Sequence, residues 1–305
     1  MPELPIGDAV EKFTQFLQDH LGEAFDVFAN VLMQLVDVVY TVLVAPHPLL
    51  LIAVLAVLAW LAGRRVTLVV FTVLAFLLVA SMQLWVQTMQ TLAVVLVAAV
   101  IAVAVGVPLG VWAARSSRVS MVIRPVLDFM QTLPVFVYLI PAVFLFGIGV
   151  VPGVVATTAF AVPPAVRLTQ LGIRQVDAEV VEAAVAFGSR PWQVLREVQL
   201  PLALPSIMAG INQVIMMALS MVVIAGMVGA QGLGSVVVQS VTQLDIGKGF
   251  EGGLAVVILA IYLDRLTSAA GSRDLTRRRA RRRAAEPDAP AQRDRMHEEV
   301  TVPLA

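Results

Sequence analysis

The sequence predicts an all-α, polytopic membrane protein, and three observations carry that prediction: an apolar composition, stretches long enough to cross a bilayer as helices, and arginines confined to alternate loops. Hydrophobic residues make up 59% of the 305 residues and charged residues 14%, where soluble domains run near half and a quarter. The mean hydropathy is +0.89. Lipid buries long apolar runs, so one polytopic domain with tails is a better count than two soluble domains. Cysteine is absent, which excludes disulfides and thiolate metal sites. The histidines, His20, His47 and His297, are scattered and form neither a zinc site nor a catalytic pair. The chain is therefore read as non-enzymatic, with no cofactor or metal of its own.

The first 48 residues are set apart as an extracytoplasmic N-terminal segment. Glu3, Asp8 and Glu11 stand where a cleavable signal would need basic residues. Residues 25–44 are long enough to cross, but Asp26, Asn30, Gln34, Asp37 and Thr41 recur at helical spacing and form a polar stripe. An amphipathic helix lying on or against the membrane is expected, with Val10, Phe13, Phe16 and Leu17 on a shorter helix before it. Packing on other spans or docking an external partner are both open to it.

Residues 49–270 are expected to form the transmembrane domain, with seven spans near 49–62, 66–82, 88–114, 129–147, 150–166, 207–230 and 252–266. Arg64 and Arg65 follow the first span, Arg115, Arg118 and Arg124 the third, and Arg167, Arg174, Arg190 and Arg196 the fifth; Arg265 and later arginines close the seventh. Lys12 and Lys248 fall on the opposite side. Arginine-rich loops resist translocation, so the pattern puts the N-terminus outside a cytoplasmic membrane and the C-terminus in the cytoplasm.

The span interiors are read as free of Asp, Glu, Lys and His, which disfavours proton coupling through buried relays and suits a neutral or zwitterionic cargo. A channel for neutral solutes, or sodium sites made of backbone carbonyls, would satisfy the same test. Pro134, Pro141, Pro163 and Pro164, with Gly226, Gly229, Gly232 and Gly234, mark either breaks at a pathway or close helix packing. Gln131, Asn212, Gln213 and Ser220 either line that pathway or bond between helices, and none is assigned to cargo.

The loop at 176–205 is too polar to cross and helical in pattern. Asp177 is a good N-cap, Glu179 and Glu182 suit the start of a helix, and Gly188 supplies its stop. A second short helix restarts with Ser189 as its cap and Pro191 in its first turn; Pro201 and Pro205 end the irregular stretch before the sixth span. Ala183, Ala184 and Ala186 give this cytoplasmic protrusion small side chains that let a partner approach closely, while Glu182 offers charge for a rim contact. Gly247, Lys248 and Gly249 lack the spacing of a phosphate-binding loop, and Gly229, Gly232 and Gly234 that of a dinucleotide site, so the chain is expected to bind no ATP itself.

Glu182, Ala183 and Ala184, then Gly188, then Val198 with Leu200 and Pro201, resemble the EAA signature of bacterial ABC importer permeases: EAA, three residues, G, nine residues, I-x-LP. Val198 replaces the isoleucine. The segments 128–176 and 212–234 resemble the permeases of glycine betaine, proline betaine, carnitine and choline, and the resemblance runs over about 83–267. It implies a type I importer fold, with Glu182, Ala183, Ala184, Gly188, Leu200 and Pro201 in the loop that couples to ATPase subunits. It also implies ATP and magnesium on those partners, an extracytoplasmic substrate-binding protein, and a second copy of the chain; nucleic acid is not expected. A gradient-driven carrier or channel for small neutral or zwitterionic solutes is the alternative. The tail at 271–305, with Arg277, Arg278, Arg279, Arg281, Arg282 and Arg283, is expected to be disordered, to help fix topology, and to attract anionic lipid.

Overall fold

The computed structural model describes residues 6–285, which are helical almost throughout. A single helix, α1 (Ile6–Val44), replaces the two expected at the N-terminus. No proline interrupts it, and at Gly22 there is open space. It docks on the helix α4 (Trp85–Arg115) through Leu32 and Val36, which are buried with Ala93, Val94, Val97 and Ala98. The polar residues Asp26, Asn30, Gln34, Asp37 and Thr41 stay exposed, as do Val27, Val31, Val38 and Val42. Its stretch Glu11–Val44 is long and apolar enough to cross a membrane.

Then come α2 (Pro48–Gly63) and α3 (Val66–Ser81), 16 residues each and packed as a hairpin. At 1.5 Å per residue each spans about 24 Å, less than a hydrocarbon core of about 30 Å. Besides Glu11–Val44, the helices long enough to cross are α4, α7 (Val150–Arg174), the run Pro191–Met227 and the stretch Ile246–Ala269. Between α4 and α7 the expected fourth span is broken: α5 (Ser117–Thr132) and α6 (Val135–Phe146) meet at 97° around Leu133 and Pro134. Proline disfavours helical geometry in the residue before it, and Leu133 is extended. The Tyr138 hydroxyl donates to Met130 O and closes the corner.

The sixth span starts earlier than the sequence suggests. After α8 (Ala178–Ala186) and the short turn α9 (Pro191–Gln193), a π-helical turn over Val194–Gln199 feeds directly into α10 (Leu200–Ser220). Pro201 thus sits in the first turn of α10 and Pro205 inside it, rather than ending an irregular stretch. A proline is well tolerated in a first turn, where its missing N–H is no loss. Two further helices were not expected from the sequence as separate elements: α11 (Val222–Met227) and α12 (Leu233–Gln243). The last helix, α13 (Ile246–Ala285), starts six residues before the expected seventh span and runs on through residues expected to be disordered. Residues 286–305 lie outside the described residues.

The core is a set of close helix contacts. A Cβ on Gly106 would come within 2.5 Å of Ala165 Cβ, and one on Gly110 within 2.6 Å of Thr169 Cβ, so the backbone of α4 lies directly on α7. With little hydrophobic force between helices in lipid, such approach supplies the packing. Aromatic contacts tie the hairpin to this core: Phe76 meets Tyr262 edge-on at 5.1 Å, and the Tyr262 hydroxyl donates to Leu55 O at 3.2 Å. The glycines of 226–234 also serve packing. A Cβ on Gly226 would meet the backbone at Gly234 and Ser235, and Leu233 N–H donates to Thr91 Oγ1 at 2.8 Å.

One reading of the span interiors is corrected. Asp264 lies inside the seventh expected span, within α13, and accepts a 3.1 Å bond from the Asn212 amide of α10. Asn212 also donates to Ser268 Oγ at 2.7 Å and accepts from the Thr267 hydroxyl. Asp264 lies near the end of the apolar stretch Ile246–Ala269, where hydrogen bonds accommodate a carboxylate. Carboxylate-free spans therefore no longer argue against a gradient-driven carrier.

Candidate functional site: the loop between α7 and α10

The loop at 176–205 stands on a rigid base. Leu195 and Val194 of the π-helical turn are buried, and Leu195 packs with Ile173, Ala203 and Ile207, flanked by Val107, Val111 and Ala114 of α4. Three long helices thus hold one turn. π-Helical turns inside longer helices are frequent at functional sites.

The protruding helix α8 is capped at both ends by its own sequence. Asp177 accepts from Glu179 N–H at 3.0 Å, satisfying one of the free N-terminal donors. At the other end Gly188 has φ +85°, and Gly188 and Ser189 N–H donate to Val185 O and Ala184 O at 2.9 and 3.1 Å. This pairing is a Schellman stop, which needs the left-handed conformation at its turning residue. The next turn is capped at Arg190 rather than Ser189: Gln193 Oε1 accepts from Arg190 N–H at 2.8 Å.

The six residues singled out by the sequence divide into two groups. Glu182, Ala183 and Gly188 are exposed on the protrusion, with Ala184 half-buried beside them. Leu200 and Pro201 instead belong to the base, half-buried in the first turn of α10, where Leu200 packs on the Leu195 cluster. Glu182 lines a recess of about 300 Å³ together with Arg115, at the end of α4, and Arg174, at the end of α7. Among the described residues no ion pair joins Glu182 to either arginine.

The sequence reading passed over the apolar residues of the protrusion. Phe187 is 91% exposed, and Val185 and Trp192 are more than half exposed. In a segment too polar to cross the membrane, exposed large apolar side chains are candidates for a protein contact rather than for lipid. Two aromatics in a loop otherwise rich in charge were the available signal.

Behind the protrusion, polar contacts join the C-terminal half of α7 to the α4–α5 corner. Arg174 donates to Ala113 O at 2.9 Å, Gln170 donates to Ser120 Oγ at 2.8 Å, and the Arg167 guanidinium pairs with Asp128 near the end of α5. These contacts tie α7, the helix that leads into the loop, to α5 and to the end of α4. The polar residues considered for a pathway do not converge. Asn212 is engaged with α13, Ser220 donates to Met216 O in its own helix at 2.9 Å, and Gln213 is exposed. The described residues contain no group of His, Asp and Glu able to hold a metal.

Residues 106–279 match the family model described as "Binding-protein-dependent transport system inner membrane component". The chain is 50% identical over 267 residues to the glycine betaine transport system permease protein OpuAB of Bacillus subtilis, covering 88% of this chain and 94% of that protein. It is likewise 50% identical over 273 residues to the glycine betaine/carnitine transport permease protein GbuB of Listeria monocytogenes, covering 88% and 96%. With the glycine betaine/proline betaine transport system permease protein ProW of Escherichia coli the identity is 52% over 226 residues, 74% of this chain and 63% of that protein. Among solved structures, the inward-facing MetNI methionine ABC transporter superposes with a TM-score of 0.54 at 24% identity, over 62% of this chain and 93% of that one. That likeness establishes a shared fold.

Proposed function

Since the chain belongs to the family of binding-protein-dependent transport system inner membrane components, we propose that it builds the membrane pathway of an ATP-driven importer for glycine betaine or a related osmoprotectant. The observation that carries the cargo class is the identity of half or more with permeases named for glycine betaine, over most of the chain. Proline betaine, carnitine and choline share the quaternary ammonium and belong to the same reading. The chain is a multi-pass transport subunit and not an enzyme. ATP and magnesium act on partner ATPases.

In this reading the protrusion at 176–205 faces the cytoplasm and seats in an ATPase subunit. Glu182, Ala183, Ala184 and Gly188 shape the contact, Phe187 and Trp192 supply its apolar anchors, and Leu200 and Pro201 fix it to the core. Rim charges orient such a contact while desolvated aromatics carry most of its affinity. Two copies of the chain enclose the pathway symmetrically, and a substrate-binding protein delivers cargo from outside. The N-terminus lies outside and the C-terminus in the cytoplasm, following the arginines at 64–65, 115–124 and 167–196. With that topology α1 lies along the membrane against α4 rather than adding a complete crossing. ATP binding and release shift a two-state equilibrium, because nucleotide favours one arrangement of the ATPases and hence of the protrusions.

Reconstitution with its ATPase and binding protein in proteoliposomes, followed by labelled glycine betaine uptake, tests the reading. Uptake that needs ATP and fails in Glu182→Lys and Gly188→Asp, with the fold intact, is expected. Uptake driven by an ion gradient without the partners would refute it in favour of a secondary carrier.

A further inference from the structure

A second site lies apart from the loop, where the α2–α3 turn meets α13. A cleft of about 750 Å³ opens there, lined by Arg64, Arg65 and Arg265. Thr67 and Ser268 add hydroxyls, and Phe71 and Ile261 form an apolar wall. No carboxylate lines the cleft, and none of the three arginines has an ion-pair partner among the described residues. Asp264, next to Arg265, is engaged by Asn212 of α10.

Both hairpin helices are 16 residues long, about 6 Å short of the hydrocarbon thickness by their rise per residue. In the topology proposed above, the turn between them lies at the cytoplasmic boundary of hydrocarbon and headgroups. Guanidinium groups there need an anion or water, and a phosphodiester offers two acceptor oxygens in the matching fork geometry. Arg64 is held in a left-handed conformation at φ 48°, with its N–H on Trp60 O. Arg65 precedes the first turn of α3 and caps it with no side-chain bond, leaving its guanidinium free of the helix start.

We propose that this cleft binds the headgroup of an anionic phospholipid, with Arg64, Arg65 and Arg265 holding the phosphate and the Phe71–Ile261 wall flanking an acyl chain. Basic pockets between membrane helices have the chemistry for such headgroups. Assignment to the cytoplasmic leaflet rests on the topology proposed above. A soluble phosphate would satisfy the arginines as well, but it would leave the apolar wall unused.

The test uses the full chain purified in maltoside detergent. Retained adducts are read by native mass spectrometry and stabilisation by thermal unfolding, with dioctanoyl phosphatidylglycerol, dioctanoyl phosphatidylcholine or inorganic phosphate as the probe. Phosphatidylglycerol is expected to be retained over phosphatidylcholine, with affinity falling about tenfold or more in Arg64→Gln/Arg65→Gln/Arg265→Gln. Lysine at the same three positions should keep most of the binding. Arg118→Gln, an exposed arginine on α5, should change nothing. Should the triple glutamine variant fail to fold, Arg265→Gln alone carries the comparison, with a loss of about threefold or more expected. Equal retention of phosphatidylcholine, undiminished binding by the glutamine variants, or an equal loss in Arg118→Gln overturns the site. Stabilisation by inorganic phosphate alone through the same arginines overturns the lipid assignment in favour of a soluble anion. The readout is binding, so a failure of ATP-driven uptake leaves its outcome untouched.

Discussion

Gln170 on α7 donates its side-chain amide to the hydroxyl of Ser120 on α5, 2.8 Å away, and both side chains are buried. The same amide approaches Ala113 O at 3.4 Å, so one side chain joins three helices just behind the protruding loop. Burial raises the cost of leaving either group unpaired.

Gln170→Ala should therefore lower the stability of the detergent-solubilised protein by about 1–3 kcal/mol, because Ser120 would lose its buried partner. Ser120→Ala in the same background should add less than it does alone. Thermal unfolding of the two single variants and the double variant checks this, and strict additivity would show that the bond contributes no coupling.

Gly110 and Gly253 should respond oppositely to alanine. The methyl at 110 would meet Thr169 Cβ at 2.6 Å and Val166 O at 2.7 Å, whereas nothing lies within 4 Å at 253. Gly110→Ala should cost about 1–3 kcal/mol by forcing α4 from α7, while Gly253→Ala should be neutral or stabilise by up to about 1 kcal/mol through helix propensity. Unfolding midpoints of the two variants decide it.

Phe187→Ser should leave the unfolding midpoint unchanged, since the side chain is 91% exposed. Its effect belongs to the partner: loss of an exposed aromatic anchor should weaken retention of the ATPase subunit by about 2 kcal/mol or more. Co-purification at graded dilution measures this. A destabilised but fully retained variant would place Phe187 in the fold instead.

Gly188→Ala should destabilise the end of α8 by about 1–2 kcal/mol, because a side chain at φ +85° is strained. Gly188→Asn should cost less, as asparagine tolerates that conformation better. ATP-dependent uptake is expected to rank glycine, asparagine, alanine. Equal uptake by all three would detach the shape of this turn from coupling.

Leu200 and Pro201 show where sequence reading stops. Their spacing after Glu182 and Gly188 was readable as one motif, yet the motif does not lie on one surface. Leu200 faces the Leu195 cluster while Gly188 is exposed, with a helix stop, a new helix start and the π-helical turn between them. Such a turn has no clear signature in sequence, because it depends on how α4 and α7 hold Leu195. Phe187 was missed for a related reason: an aromatic in a loop is as often buried as displayed, and only packing decides.

Composition and arginine placement determined that the chain crosses a membrane many times, since an unpaired charge or an unpaired backbone group is too costly in lipid to be ambiguous. The caps of α8 were equally local, because Asp177 and Gly188 act on neighbouring backbone groups. Tertiary structure alone decided the 97° break at Leu133 and Pro134, the single course of α1, and the pairing of Asp264 with Asn212, 52 residues away. A proline permits a bend without setting its angle, an apolar stretch does not say which helix will cover it, and a carboxylate is made acceptable in a span by a partner distant in sequence.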